Sequence, residues 1–338
     1  MTSTRAEVAR RAGVSPAVVT YVTSPGTRPV SAAARARVEE AIEFLGYQPN
    51  SIAQSLRRSS TMTLGLIIPN LEFPSLADLG FALENLAYEL GYVLFVFTTA
   101  NSPEREKLYL RSLIERQVDA LIVVGTHTPA MLAEAVAEGT PVVVLDRTLN
   151  GNGIDSVFPD VRRSTAAAVR HLIEIHGHRR ISCIAGPLKF SGIEEQVFGW
   201  RDALQSAGLP CDDSYLSLPD LLTDDSGYQS TMELLDRVQP TAILVVSEMQ
   251  ARGAITAITE RGLHIPRDIA LVSYAAAHLN GLTFEGVTSI DLPIDALATR
   301  AIAILMARLK SPGGAETHDV LESSFTLRES CGCSLASM

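Results

Sequence analysis

The sequence predicts a two-part fold. An all-α helix-turn-helix headpiece precedes an α/β core of doubly wound parallel sheets in two lobes. Three observations predict it. Charge is uneven: residues 1–60 hold eight arginines (5, 10, 11, 28, 35, 37, 57, 58) and four glutamates (7, 39, 40, 43), a net of +4, which leaves −14 for the rest of a chain whose formal charge is −10. A small basic head on a large acidic body points to a polyanion partner for the head alone. Second, the head carries closely spaced helix start and stop signals. Third, beyond residue 61 continuous apolar runs alternate with helical patterns, the signature of strands buried on both faces. At 338 residues and 46% hydrophobic, the chain is long enough for two or three domains with buried cores.

Thr4-x-x-Glu7 is a capping box that opens a helix through about Arg11, with Val8 and Ala9 turned inward. Gly13 ends it and Val14 staples the turn. Ser15-Pro16 gives an N-cap with proline at the first helical position, and this second helix runs to about Thr23 with Val19 and Val22 inward. "TSPGTRP" is a loop, and Ser31 caps a third helix, "AAARARVEEAIEFLGY", with Val38, Ile42 and Leu45 buried and Gly46 at its end. Helix, short turn, helix and a bracing third helix is an arrangement that lays its second helix in the DNA major groove. A three-helix bundle that touches no nucleic acid has the same spacing. Next comes "PNSIAQSLRR", where Asn50 can cap a helix that sets Ile52 and Leu56 one turn apart. At about eight residues it is too short to hold by itself in water.

In the core, "TLGLIIP" is a strand and "SLADLGFALENLAYELG" a helix ended by Gly91. The alternation continues through "YVLFVFTT", "PEREKLYLRSLIERQ", "VDALIVVG", "PAMLAEAVAEG" and "PVVVLD". It restarts with "STAAAVRHLIEI", "RISCIAG" and "EEQVFGWRDALQSAG", then "GYQSTMELLDRV", "AILVVS", "MQARGAITAITERG" and "IALVSYA". The restart implies a second lobe.

Other functions find little support. Thr2 to Arg11 is polar and basic, so no secretory signal is expected, and no run of about twenty apolar residues could span a bilayer. Four cysteines, two of them isolated, suit a reduced cytoplasm. Cys331-Gly-Cys333 would need partner ligands for a metal role, and the scattered histidines do not offer them; His171, His176 and His178 fit cap or surface roles at a helix end. No metal and no cofactor is therefore expected. The paired acids Asp146 beside Arg147, Glu194-Glu195 and Asp212-Asp213 point apart rather than across a cleft. "GTHTP" and "NGNG" lack the lysine and spacing of a phosphate loop, and Ser247 lacks the glycines of a nucleophile elbow. No enzyme chemistry is expected.

"RAEVARRAGVSPAVVTYV", "VSAAARARVEEAIEFLGYQPNSIAQSL" and "TLGLIIPN" resemble the lactose-repressor (LacI/GalR) family of bacterial transcription regulators. The resemblance extends through "PVVVLDR", "HGHRRISCIAGP", "GWRDAL" and "RESCGC", nearly the whole chain. It implies a headpiece over residues 1–48, a hinge helix over 49–61 and a core over 62–338 resembling periplasmic sugar-binding proteins. Lobe 1 would hold about 62–161 and 292–324, lobe 2 about 162–291 and 325–338. In such proteins the hinge folds on DNA, two copies pair in the minor groove, and a leucine, here Leu56, wedges between base pairs. The DNA-binding residues implied are Thr4, Ser15, Pro16, Ala17, Thr20, Tyr21 and Arg28 of the headpiece, and Asn50, Ala53, Gln54, Leu56 and Arg57 of the hinge. Tyr21 stands where the family usually has a guanine-reading arginine, so thin direct readout and an unusual operator are expected.

The cleft positions implied are Phe73, Ser75, Asp146, Gln196, Leu222, Glu248 and Ala275. Gln196 replaces an expected arginine, Glu248 and Ala275 replace aspartates, and Leu222 replaces an aromatic. Without that frame an ordinary sugar loses its bidentate anchors, so a less polar effector, or none, is expected. The expectation is thus a cytoplasmic homodimeric repressor of a near-palindromic double-stranded DNA operator, gated by a small molecule. Gating by a protein partner or by abundance, and a sugar-binding or transport-related protein, are the alternatives.

Overall fold

A computed structural model describes residues 3–23, 29–47, 60–145, 153–279 and 286–333. The expectations for Arg28, for the hinge residues Asn50, Ala53, Gln54, Leu56 and Arg57, and for Asp146 lie outside the described residues. The chain divides into two compact units, 1–62 and 63–338.

The first unit has three helices, α1 (Arg5–Ala12), α2 (Pro16–Thr23) and α3 (Ala32–Leu45). Thr4 and Glu7 form the reciprocal capping box, Gly13 ends α1 in the left-handed conformation, and Ser31 caps α3 through the Ala34 amide. The core is small: Val8, Ala9, Ala12, Val19, Val38 and Ala41 are buried, with Val14, Val18, Val22, Ile42, Leu45 and Tyr47 packed around them. Ala41, not the half-buried Ile42 and Leu45, joins Val38 in the centre. Ser3 Oγ donates to the Leu45 carbonyl at 2.7 Å, tying the start of the chain to the end of α3.

The second unit is built on two six-stranded sheets. The first comprises β1 (Thr63–Ile68), β2 (Val93–Thr98), β3 (Ala120–Val123), β4 (Val142–Val144), β5 (Asp155–Pro159) and β11 (His318–Leu321), in the order β11-β5-β4-β3-β1-β2, all parallel. The second comprises β6 (Ile181–Ile184), β7 (Leu216–Ser217), β8 (Ala242–Val245), β9 (Ala270–Tyr274), β10 (Thr288–Asp291) and β12 (Ser324–Thr326). Its order is β12-β10-β9-β8-β6-β7, with β12 antiparallel and the rest parallel. Each sheet is covered on both faces. Around the first lie α4 (Pro74–Glu89) and α11 (Ile294–Lys310) on one side and α5 (Pro103–Glu115) and α6 (Pro129–Ala137) on the other. Around the second lie α7 (Val161–Glu174) and α8 (Ser191–Ser206) opposite α9 (Asp224–Arg237) and α10 (Glu248–Glu260).

Five strands escape the apolar-run criterion: β5, β7, β10, β11 and β12. They are short and carry polar residues with dedicated partners. Asp155 in β5 makes a bidentate ion pair with Arg308 of α11, 2.7 Å on each arm, which fastens that returning helix to the first sheet. In the second lobe α9 and α10 pack backbone to backbone. A Cβ at Gly227 would strike the Gln250 carbonyl and one at Gly253 the Asp224 carbonyl, so only glycine permits this approach.

The chain crosses between sheets after β5, after β10 and between β11 and β12. In both sheets the order reverses beside the first strand of the lobe, β1 or β6, the place where open α/β sheets bind ligands. None of the described helices is long and apolar enough to cross a membrane.

Candidate DNA interface and effector cleft

In the headpiece, α2 presents one outward face. Val19 is fully buried, which turns Ser15, Pro16, Ala17, Thr20 and Tyr21 away from the core; the first three are exposed and the last two half-exposed. Thr20 is less available than its spacing implies. Its hydroxyl donates to the Pro16 carbonyl at 3.1 Å and accepts from Arg5 Nη1 at 3.1 Å. To donate to a base edge it must give up the backbone bond. Arg5, which the spacing argument did not single out, thereby joins α1 to the recognition face. Thr4 is committed to its cap: the Glu7 carboxylate accepts from the Thr4 amide at 2.7 Å and hydroxyl at 3.0 Å. Those bonds, the amide first, hold the Glu7 carboxyl below its usual range. Arg11 stacks on Phe44, its guanidinium carbon 3.3 Å from the ring centre.

In the core, side chains meet across the two lobes. Glu248 opens α10, where the helix N-terminus favours a carboxylate, and is buried. Its Oε1 accepts from both the amide and the hydroxyl of Ser75, each at 3.2 Å, in the first turn of α4. Nearby, the His127 and Phe190 rings meet edge-on, with centroids 6.0 Å apart. They flank a small pocket, open to solvent, at the switch point of the first sheet. Pro69, Thr99, Asn101 and Thr126 line one wall, Lys189 and Phe190 the other. The loop under it is fixed by Glu106, a buried carboxylate that accepts from the amides of His127 and Thr128 at 3.0 Å and from the hydroxyls of Thr126 and Thr128 at 2.5 Å.

Residues 4–50 match the bacterial regulatory proteins of the lacI family, and residues 61–328 match the periplasmic binding proteins and sugar binding domain of the LacI family. The chain belongs to the LacI family. It is 33% identical over 309 residues to the HTH-type transcriptional repressor PurR of Edwardsiella ictaluri, covering 90% of each chain. It is 31% identical to the PurR repressor of Histophilus somni strain 129Pt, covering 94% of each. Among solved structures it resembles the lac repressor dimer bound to operator and the anti-inducer ONPF, with a TM-score of 0.86, 27% identity and coverage of 98% and 99% of the two chains. The transcriptional regulator CelR–cellobiose complex matches with a TM-score of 0.73 at 29% identity, covering 97% of this chain and 99% of that one.

In this LacI-family core the predicted cleft residues divide. Ser75 and Glu248 meet, and Phe73 begins α4 with its amide held by Asn70 Oδ1 at 3.3 Å. Gln196 is buried, and the Tyr274 hydroxyl meets Ser164 and Thr165 and donates to the Val161 carbonyl. Burial pushes that phenol up to about 12. Leu222 packs over Gly186 beyond the end of β6 as an apolar wall. Ala275 sits in the left-handed region, φ 52°, its amide bonded to the Ile290 carbonyl.

Three of the acids set aside as catalysts have structural partners: Glu195 lies 3.9 Å from Arg162, Asp213 pairs with Arg201, and Asp212 caps a turn through the Ser214 amide. His127, Lys189, Phe190 and Glu106 were not found by sequence reasoning. "GTHTP" marked the loop but was tested only as a phosphate loop. One expectation is overturned: the tail cysteines do have histidine partners, for His171, His176, Cys331 and Cys333 bring one ligand atom each within 4.8 Å of the others. Folding joins a helix end to a segment about 160 residues away, which no local spacing could reveal.

Proposed function

We propose that this chain is a cytoplasmic, homodimeric transcriptional repressor with no enzymatic role, whose operator binding is gated by a small molecule in the interlobe cleft. The observation that carries the proposal is the pairing of an outward, apolar-tipped recognition helix with a two-lobed core whose lobes meet through Ser75 and Glu248. Residues 1–48 would read the major groove, 49–61 would form the hinge, and the remainder would sense and dimerise.

Pro16 and Ala17 can offer a thymine methyl only apolar contact, and Tyr21 brings one hydroxyl and a ring. Operator choice would therefore lean on the hinge, where Leu56 partly unstacks a central step and Asn50, Ala53, Gln54 and Arg57 follow the groove and its phosphates. Arg28 would add a phosphate contact. Two copies would bind half-sites about one helical turn apart.

In the cleft, Glu248, Ser75 and Phe73 would supply a carboxylate, a hydroxyl and a ring, while Leu222 and Ala275 are apolar and Gln196 is buried. The CelR–cellobiose complex and the ONPF-bound lac repressor indicate the breadth of ligands among similar proteins. Here the polar frame is sparser, which favours an effector less dependent on paired hydroxyls. Such an effector must also compete for the Ser75–Glu248 contact, and so it would change how the lobes meet and how far apart the hinges stand.

A thermal-shift screen over sugars, nucleosides and apolar metabolites tests this, each hit being carried into an operator-binding titration. The expected hit is not a simple sugar, and it shifts operator affinity. Strong stabilisation by an ordinary monosaccharide would refute the reading of the cleft.

A further inference from the structure

We propose that Nε2 of His171 and His176 and Sγ of Cys331 and Cys333 are the four ligands of a structural zinc ion, which fastens the segment after β12 to the end of α7. The distances fit. With Zn–N about 2.0–2.1 Å and Zn–S about 2.3 Å, a tetrahedron has N···N edges of about 3.3 Å and N···S edges of about 3.6 Å. Here the two Nε2 atoms are 3.1 Å apart. Cys333 Sγ lies 3.4 Å from His171 Nε2 and 3.3 Å from His176 Nε2, and Cys331 Sγ lies 3.7 Å from His171 Nε2.

Several features hold the four atoms there from outside the cluster. Gly177 takes the left-handed conformation directly after His176, and the amides of Gly177 and His178 bond back to the carbonyls of Ile173 and Leu172, so the end of α7 returns His176 towards His171. On the other side, buried Ser330 donates to the Leu271 carbonyl at 2.6 Å and accepts from the Thr288 amide at 2.7 Å, which fixes the residue before Cys331. Gly332 between the cysteines is left-handed, φ 103°, and a Cβ there would lie 3.0 Å from His176 Nδ1. The positive φ favours glycine as the middle residue of Cys-x-Cys, and the close approach of the histidine leaves little room for a side chain there. The Phe325 ring packs edge-on against His171, centroids 5.4 Å apart, and Cys331 is buried.

The donors select the ion. Two sulfurs and two imidazole nitrogens in a tetrahedral set suit zinc; magnesium and calcium require oxygen ligands, and a two-iron cluster with two histidines on one iron and two cysteines on the other would hold the pairs farther apart than the N···S distances of 3.3–3.7 Å here. Two thiolates and two neutral imidazoles also bring the ion to zero net charge, as a half-buried position favours. All four positions are protein ligands, so the site is closed and its role structural. It would clamp residues about 160 apart in sequence, the helix that begins the second lobe and the segment that ends the described chain.

The test uses the full-length chain, without a histidine tag, purified in reducing buffer. Elemental analysis should find about one zinc per chain, falling to a small fraction in Cys333→Ser and in His176→Gln, while His178→Gln keeps it. Refilling the chelator-stripped protein with cobalt(II) should give the intense visible bands of tetrahedral cobalt and a thiolate charge-transfer band, both lost in Cys333→Ser. Chelation should lower the Tm of the wild type and leave that of Cys333→Ser unchanged. A metal-free wild type that binds cobalt only in octahedral form, or a Cys331–Cys333 disulfide in the freshly purified protein, would overturn the site. Zinc loss with no change in Tm would overturn its structural role.

Discussion

The two lobes share a strand order but differ at their outer edges. In the first, the edge strand β2 leaves Val93, Phe95 and Val96 exposed, and the neighbouring α4 adds Phe81 at 70% and Tyr88 at 77% exposure. A continuous apolar stripe on an unpaired strand edge is a liability unless something covers it. The second lobe ends in β7 and β12, of two and three residues, and presents no such stripe on either strand. Its surplus goes inward instead, to the Cys331–His171 cluster that ties down the final described segment. The dimer proposed above would cover the edge of the first lobe, whereas the second lobe has no such stripe to cover on β7 or β12.

The largest expected effect breaks that asymmetry directly. Val96→Lys combined with Phe81→Glu should convert the dimer to monomer in sedimentation and cost operator affinity about thirtyfold or more, the cost of losing a hot spot worth about 2 kcal/mol. Leu218→Lys and Leu221→Lys, at exposed positions of the second lobe, should leave assembly unchanged. Equal loss from both pairs would remove the distinction.

Next in size is Leu56→Ala, which would remove the proposed wedge. Specific operator binding should weaken about tenfold or more while the melting curve of the core stays put. Smaller again is Glu248→Gln. It replaces charge-assisted hydrogen bonds across the cleft, each class worth about 1.5–3 kcal/mol, with weaker neutral ones. Small-angle scattering should report a more open core; an unchanged radius would mean the lobes are held together by other contacts.

The smallest effect lies in the headpiece. Thr4→Ala should cost about 1 kcal/mol of headpiece stability by removing the cap, read from circular dichroism. The Glu7 carboxyl is held below its ordinary value of 4.5, so its contribution is present above that pH and is lost as pH falls through the lowered folded value. Wild-type headpiece helicity should therefore decline more than that of Thr4→Ala in that acid range.

Local chemistry was legible and distant chemistry was not. The headpiece helices could be placed from Thr4, Gly13, Pro16, Ser31 and Gly46 because capping acts over one turn. Seven strands were visible because burial on both faces makes them continuously apolar. The strand Thr288–Asp291 was missed because its polar side chains are satisfied by partners far along the chain: Thr288 Oγ1 donates to the Arg328 carbonyl and Ser289 Oγ accepts from the Ala276 amide. Gln196 was assigned to the cleft by its position relative to a proline, a distance along the chain that carries no information about its burial. The histidine–cysteine cluster was rejected for want of ligands that only folding could bring together.

The central claim is that the headpiece reads a two-fold operator through phosphate contacts and a hinge wedge. Selecting operators from random DNA with the full-length chain, then titrating the winner across salt, tests it most directly. The account predicts two related half-sites about one helical turn apart, distinct from the common family half-site, with affinity falling steeply as salt rises because bound phosphates release counterions. No enriched sequence, together with affinity indifferent to salt, would contradict it.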